Sequence, residues 1–60
     1  HRRIYVIELK LRNNGGKESA VRQILGNSYM EPFKADKRDV IGLGLELDDM
    51  GRGLLDWMAV

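Results

Sequence analysis

The sequence predicts an α/β domain whose small mixed sheet forms in the order strand, helix, strand, strand. Two runs rich in strand-forming residues flank one stripe of apolar residues at helical spacing, and a turn leads to a further strand. A strand–helix–strand unit within one sheet makes its strands parallel, and the final hairpin then adds an antiparallel strand. With 60 residues, the chain is long enough for one small domain.

The first strand is predicted from about Arg3 to Arg12, where a run rich in turn residues, residues 13–16, ends it. Successive side chains on a strand point to opposite sides. Both sides are apolar early in this strand, which is typical of a strand covered above and below. One side carries Ile4 and Val6, and the other carries Tyr5, Ile7, Leu9 and Leu11.

The helix is predicted from about Lys17 to Ser28, with Gly16 as its N-cap. Gly26 either weakens the last turn or ends the helix early, and the sequence favours neither. The apolar stripe that defines the helix consists of Ala20, Val21, Ile24 and Leu25.

The second strand is predicted from about Asp39 to Leu47. Gly42 and Gly44 share one of its sides, which leaves room for a closely packed helix or a nearby backbone. Only one side of the sheet would then be covered by this chain.

Residues 48–51 predict a turn that relies on aspartate side chains, and the last strand follows from about Arg52 to Met58. Trp57 is expected to cover the core from this strand. The pair Asp48 and Asp49 lacks the remaining spacing of a calcium-binding loop, so turn formation accounts for it better.

Composition excludes several kinds of site. The chain has no Cys and a single His, which rules out disulfides and a thiolate zinc centre within it. The sequence has no run of about twenty apolar residues, so no membrane span is predicted. The basic start is not followed by the apolar region of a secretory signal, so a cytoplasmic location is expected. Because the chain starts with His rather than Met and enters a strand almost at once, we expect a piece of a longer protein.

Charge is distributed unevenly, although the formal net charge is only +1. Residues 1–22 hold six basic and two acidic residues, whereas residues 39–60 hold one basic and five acidic residues. A basic end is suited to meeting phosphates. Ordinary solvated surface explains the same distribution, and charge alone favours that explanation.

Glu8 and Lys10 are the strongest functional candidates. They lie two residues apart in the first strand, so both project from the same side, near the carboxyl end where the crossover begins. Ligands often bind at that edge of open sheets. A carboxylate and an ammonium together there would hold a divalent cation and orient a water molecule. The alternative is the solvated end of an ordinary strand with a weak surface ion pair.

Gln23 is the third candidate, because it flanks Ala20 at the edge of the helical stripe. From there its amide would reach over the strand end towards the Glu8 carboxylate. The alternative is a boundary glutamine that hydrogen-bonds to solvent.

Several segments together resemble a known family. Residues 5–11, with Glu8-x-Lys10, are followed by residues 20–24 with Gln23, then by residues 29–36 (Tyr-Met-Glu-Pro-Phe-Lys-Ala-Asp), residues 40–44 and Asp56-Trp57. In this order they resemble the C-terminal PD-(D/E)XK nuclease-superfamily domain of bacterial proteins with an AAA-ATPase-like N-terminal region. The resemblance covers nearly the whole chain. It implies a partial restriction-endonuclease-like core, with residues 1–60 as the C-terminal part of a nuclease-like domain.

The resemblance also implies roles. Glu8 would bind Mg²⁺, the backbone carbonyl of Leu9 would be a second ligand, and Lys10 would orient or activate the attacking water. Gln23 corresponds to a helix glutamine of several branches of the superfamily. The family's other metal-binding Asp has no counterpart in this chain. We therefore expect the 60 residues to be catalytically inactive alone.

The partners that follow from this resemblance are nucleic acid and the rest of the parent chain. A bare sheet face also favours a homodimer. The alternative function is a structural or oligomerisation module that keeps the strand core without catalysis.

Overall fold

One helix packs on one face of a three-stranded sheet in the part of the chain that the computed structural model describes, residues 2–35 and 38–60. The predicted order of strand, helix, strand, strand is confirmed. The elements are β1 (Arg3–Leu11), α1 (Gly16–Gly26), β2 (Asp39–Leu47) and β3 (Leu54–Ala59), with short 3-10 helices at Arg12–Asn14 and Glu31–Phe33.

The strand β2 is central in the sheet, with β1 parallel to it on one side and β3 antiparallel on the other. Both the predicted parallel crossover and the predicted antiparallel hairpin are therefore present. Glu8 lies opposite Gly44 in the β1–β2 register, and Lys10 lies opposite Glu46. Asp36, the last residue of the motif at residues 29–36, lies outside the described residues.

The helix begins and ends earlier than the predicted span of Lys17 to Ser28. Gly15, with φ of 98°, is the N-cap in place of Gly16, which is the first helical residue. At the other end Gly26 is the last helical residue and Ser28 has φ of 55°. The Tyr29 amide donates to the Ile24 carbonyl and the Ser28 amide to that of Leu25, which is the Schellman arrangement.

The last strand begins at Leu54 and ends at Ala59, so the predicted span of Arg52 to Met58 starts two residues early. The reason is the turn before it. The Asp48 carboxylate accepts hydrogen bonds from the backbone amides of Met50 and Arg52 at 3.1 and 2.8 Å, which holds that stretch out of the sheet. The predicted turn role of Asp48 is thus confirmed.

The core lies between α1 and the side of β2 that carries two glycines. Ala20 and Ile24 are fully buried there. A Cβ built on Gly44 would lie 2.8 Å from the Lys17 carbonyl oxygen. One on Gly42 would lie 2.6 Å from the Val60 side chain and 3.3 Å from that of Ile24. The predicted close approach of the helix is confirmed at Gly44, whereas the closest neighbour of Gly42 is Val60.

The other side of the sheet has no covering element among the described residues. Large apolar side chains there are about half exposed, and Trp57, expected to cover the core, is 57% exposed on this side instead. We call this surface the open face. Its residues are Tyr5, Ile7, Leu9, Ile41, Leu43, Leu45, Leu54, Trp57 and Ala59.

Among the described residues, no helix combines the length and the apolar character needed to cross a membrane.

Candidate functional site

Glu8 and Lys10 lie on the side of β1 that α1 covers. Exposure alternates along the strand, with Glu8 and Lys10 partly buried and the neighbouring Ile7 and Leu9 exposed on the open face. Glu8 lies opposite Gly44, whose missing side chain lets the helix backbone approach. The carboxylate and the ammonium therefore share one side of the sheet, near the carboxyl end of an edge strand.

Neither charged group has a partner among the residues that the structure describes. Across residues 2–35 and 38–60, no side-chain hydrogen bond or ion pair engages Glu8 or Lys10. Partly buried charges usually pair with other groups, because removing them from water is costly. Two such groups side by side, left unpaired within the described structure, are suited to an external ligand.

Gln23 lies on the flank of α1 that is turned towards β1. Lys17, on the opposite flank, reaches Asp56 of β3 with its Nζ 3.0 Å from the carboxylate. Gln23 is about 120° further round the helix from Lys17, past Ala20, which is fully buried. This position puts Gln23 on the β1 side of the helix.

The amide of Gln23 is engaged locally. Its Nε2 lies 3.4 Å from the hydroxyl of Tyr29, to which Asn27 Nδ2 also donates at 3.3 Å. Within the described structure no hydrogen bond joins Gln23 to Glu8 or Lys10. The three candidates therefore occur on adjoining elements without a hydrogen bond or ion pair among them in the described structure, and Gln23 would have to leave Tyr29 to reach the strand.

Leu9 enters the site only through its backbone. Its side chain is 52% exposed on the open face, opposite Leu45 in the register and away from Glu8. A role in metal binding would rest on its carbonyl oxygen, as the family resemblance implies.

Glu46 is a buried charged residue that sequence reasoning did not single out. It is 6% exposed and accepts two hydrogen bonds, from the backbone amide of Lys17 at 3.0 Å and from Arg12 Nε at 2.8 Å. The Lys17 amide, followed by the Arg12 guanidinium, holds the pKa of Glu46 below its ordinary value. Glu46 thereby fastens the first turn of α1 to the end of β2.

One sequence feature pointed to the burial of Glu46. It shares its side of β2 with Gly42 and Gly44, the side on which the helix packs. A carboxylate on that side must meet donors, and the free amides at a helix N-terminus are the nearest ones. Gly16 leaves the space, since a Cβ there would collide with the Glu46 carboxylate.

Lys17 joins this polar region to β3. Its Nζ lies 3.0 Å from the Asp56 carboxylate and 3.2 Å from that of Glu18. The hydrogen bond to Asp56, and then the one to Glu18, raises the pKa of Lys17, while the same lysine lowers the pKa of Asp56. These groups satisfy one another, so Glu8 is the carboxylate on the helix side that remains available.

The residues present provide less than a magnesium ion usually needs. In the described part of the chain, no three His, Cys, Asp or Glu side chains lie close enough together to hold a metal. Mg²⁺ favours near-octahedral oxygen ligands and usually keeps several waters. One carboxylate and one carbonyl provide part of such a set, and a further carboxylate would have to come from another segment.

Comparison of the chain with protein-family models, with curated proteins and with solved structures found no match.

Proposed function

We propose that the chain is part of a PD-(D/E)XK-like nuclease domain, with Glu8, Lys10 and Gln23 contributing to a site for Mg²⁺-dependent cleavage of nucleic acid. The observation that carries the proposal is the pair Glu8 and Lys10, partly buried on one side of β1 and without a side-chain partner in the described part of the chain. A restriction-endonuclease-like core around this sheet and a cytoplasmic location belong to the same proposal.

Each residue has a separate task. Glu8 provides a hard oxygen ligand, with the Leu9 carbonyl as a second one. Lys10 keeps its ammonium close to the phosphate, where it orients water and offsets charge that develops on the oxygens. The Gln23 amide, once released from Tyr29, orients a water or a phosphate oxygen from above. When bound, the metal ion would polarise the phosphate.

A second carboxylate from another segment completes the site in this proposal. Glu8 alone would hold Mg²⁺ weakly, so the 60-residue chain is expected not to cleave nucleic acid by itself. Catalysis would belong to a longer protein or to an assembly that brings in the missing ligand.

A plasmid-nicking assay tests this expectation. The purified chain should show no Mg²⁺-dependent nicking above that of the Glu8→Ala variant. Glu31→Ala is a matched control, because Glu31 is an exposed carboxylate that pairs with Lys34 one turn away. Nicking by the wild type that persists in Glu31→Ala and disappears in Glu8→Ala would contradict the need for a second carboxylate.

The position of Gln23 offers a gain-of-function test. Gln23→Glu would place a second carboxylate on the flank of α1 that is turned towards β1. We expect Mg²⁺ to bind this variant at least about tenfold more tightly, since two anionic ligands replace one. Calorimetric titration measures the change, and Gln23→Glu combined with Glu8→Gln should lose it. An unchanged affinity would contradict the assignment of Gln23 to the site.

The open face favours a second candidate function, a structural or oligomerisation module that keeps the nuclease-like fold without catalysis. The supporting observation is that Tyr5, Ile7 and Trp57 are each more than half exposed on one side of the sheet. Under this alternative, Glu8→Gln changes neither metal binding nor nucleic-acid processing in the intact system. The same substitution abolishes both under the nuclease proposal.

A further inference from the structure

The open face is a continuous apolar surface with no charged side chain in its centre. Its register gives successive rows across the sheet, Ile7–Leu43–Ala59 and Leu9–Leu45–Trp57. Exposed apolar patches of this kind mark interaction sites, because folded monomers rarely leave one uncovered.

The accessible surface of the chain is slightly above the value expected for a self-contained monomer of its mass. Its accessible surface is 4305 Å², against about 4,000 Å² expected for a folded 6.9 kDa protein. The core is correspondingly small. In the described residues, Ala20 and Ile24 are the fully buried apolar side chains. A chain of this size usually needs an additional source of stability.

We propose that a second copy of this chain covers the open face, so that two sheets pack face to face with a helix outside each one. This inference concerns the side of the sheet opposite Glu8 and Lys10, and it does not depend on the proposed nuclease function. A twofold axis parallel to the strands and midway between the sheets generates the pair. Sheets packed in this way lie about 10 Å apart with strands within about 30° of one another.

The size of the molecule sets an upper limit on the area that this side can bury. The two longer extents of the molecule are 37 and 24 Å, which limits the broad side to about 900 Å². A standard interface buries about 800 Å² on each partner. Only a partner that covers the whole open face approaches that area, as an equal face of a second copy would, whereas a short peptide strand would leave most of the face exposed.

In the proposed dimer, the rows of the open face pair side chains of different size at their ends. The proposed axis lays each row over the reversed row of the other copy. Trp57, the largest side chain, then meets Leu9 at the opposite edge, and the small Ala59 meets Ile7. A larger side chain thus opposes a smaller one at the ends of each row, and the central Leu43 and Leu45 meet their own copies.

The composition of the face also favours a permanent partner. Obligate homodimer interfaces are richer in apolar surface than transient ones, and aromatic residues are common in them. Nucleic acid is a poor fit for this side, because phosphate contacts require basic side chains. Tyr5 and Trp57, both more than half exposed, provide the aromatic anchors.

The test is the mass of the chain in solution, measured by light scattering and by sedimentation over about a hundredfold range of concentration. We expect twice the monomer mass of 6.9 kDa at the upper end. Ile7→Lys should raise the dissociation constant at least about tenfold. Leu25→Lys is the matched control, since Leu25 is equally exposed at 55% but lies on α1. Circular dichroism establishes that each variant is folded.

Trp57 provides a second measurement that needs no variant, because it is the only Trp in the chain. Its emission should shift to the blue, and its quenching by acrylamide should fall, over the same concentrations at which the mass doubles. A wild-type chain that stays monomeric would overturn the proposal and indicate another occupant. Dimers with an unchanged Trp57 emission, or a folded Ile7→Lys variant that dimerises like Leu25→Lys, would also overturn it.

Discussion

Glu46 shows how one side chain fixes the N-terminus of α1 against the sheet. It is buried, and it accepts hydrogen bonds from the Lys17 amide and from Arg12. The helix N-terminus carries a partial positive charge, so a carboxylate there is favourable. The loss of either hydrogen bond would leave a buried carboxylate without enough donors, which is costly in free energy.

The lowered pKa of Glu46 predicts how stability depends on pH. The folded state binds this proton less readily than the unfolded state, so the Glu46 contribution is complete above the ordinary pKa of 4.5. It is lost as pH falls through the lower pKa of the folded state. Glu46→Gln should therefore be less stable than the wild type at neutral pH, and its stability should decline less in acid.

Urea unfolding from pH 7 down to pH 2 measures both effects. Glu31→Gln is the control, because Glu31 is exposed and its Lys34 partner lies in the same turn. A wild-type acid dependence that survives unchanged in Glu46→Gln would contradict the role assigned to this carboxylate.

The sequence predicted where Glu46 lies but not how deeply it is buried. Alternation places it on the same side of β2 as Gly42 and Gly44. Its burial depends on where the helix begins, and that is fixed by the left-handed Gly15. The same two glycines mark the helix side of the sheet. The side on which Trp57 lies depends in addition on its pairing with Leu45, which the sequence does not specify.

At the scale of elements, the contact between α1 and β2 depends on the absence of a side chain at Gly44. A Cβ there would lie 2.8 Å from the Lys17 carbonyl and 3.0 Å from the Ala20 Cβ, so the helix would have to move. Gly44→Ala should therefore lower the free energy of unfolding by about 1–3 kcal/mol, the cost of overpacking a tight core.

Gly26→Ala is the matched control for this substitution. Gly26 is the last helical residue, and a Cβ there meets nothing within 4 Å. Alanine favours the helix over glycine by up to about 1 kcal/mol, so this variant should be neutral or stabilised. Chemical denaturation compares the two, and an equal effect of both substitutions would contradict the close helix approach.

The order of the strands and the helix could be predicted from the sequence because each element has a pattern within its own residues. Alternation predicted the strands, and the stripe around Ala20 and Ile24 predicted the helix. The boundaries were less predictable. Ser28 adopts a left-handed conformation that usually calls for glycine, and the Asp48 carboxylate draws Met50 and Arg52 into the turn. Both depend on hydrogen bonds that a one-dimensional pattern does not contain.

At the scale of the whole molecule, the two sides of the sheet differ in chemistry. On the helix side, Glu46 accepts a hydrogen bond from the Lys17 amide, and the Lys17 ammonium pairs with Asp56. On the same side, Glu8 and Lys10 have no side-chain partner in the described residues. The open face is apolar and lacks charges in its centre. This division allows ligand binding on one side and assembly on the other without competition for the same residues.

The central claim is that Glu8 anchors a cation site on the helix side of β1. A titration with Mg²⁺, or with Mn²⁺ as a paramagnetic probe, followed by backbone amide signals tests it most directly. We expect weak but localised changes at residues 8–10 and at Gln23, which are lost in Glu8→Gln and kept in Glu31→Gln. Changes centred on the Asp48–Asp49 turn, or the same changes in Glu8→Gln, would contradict it.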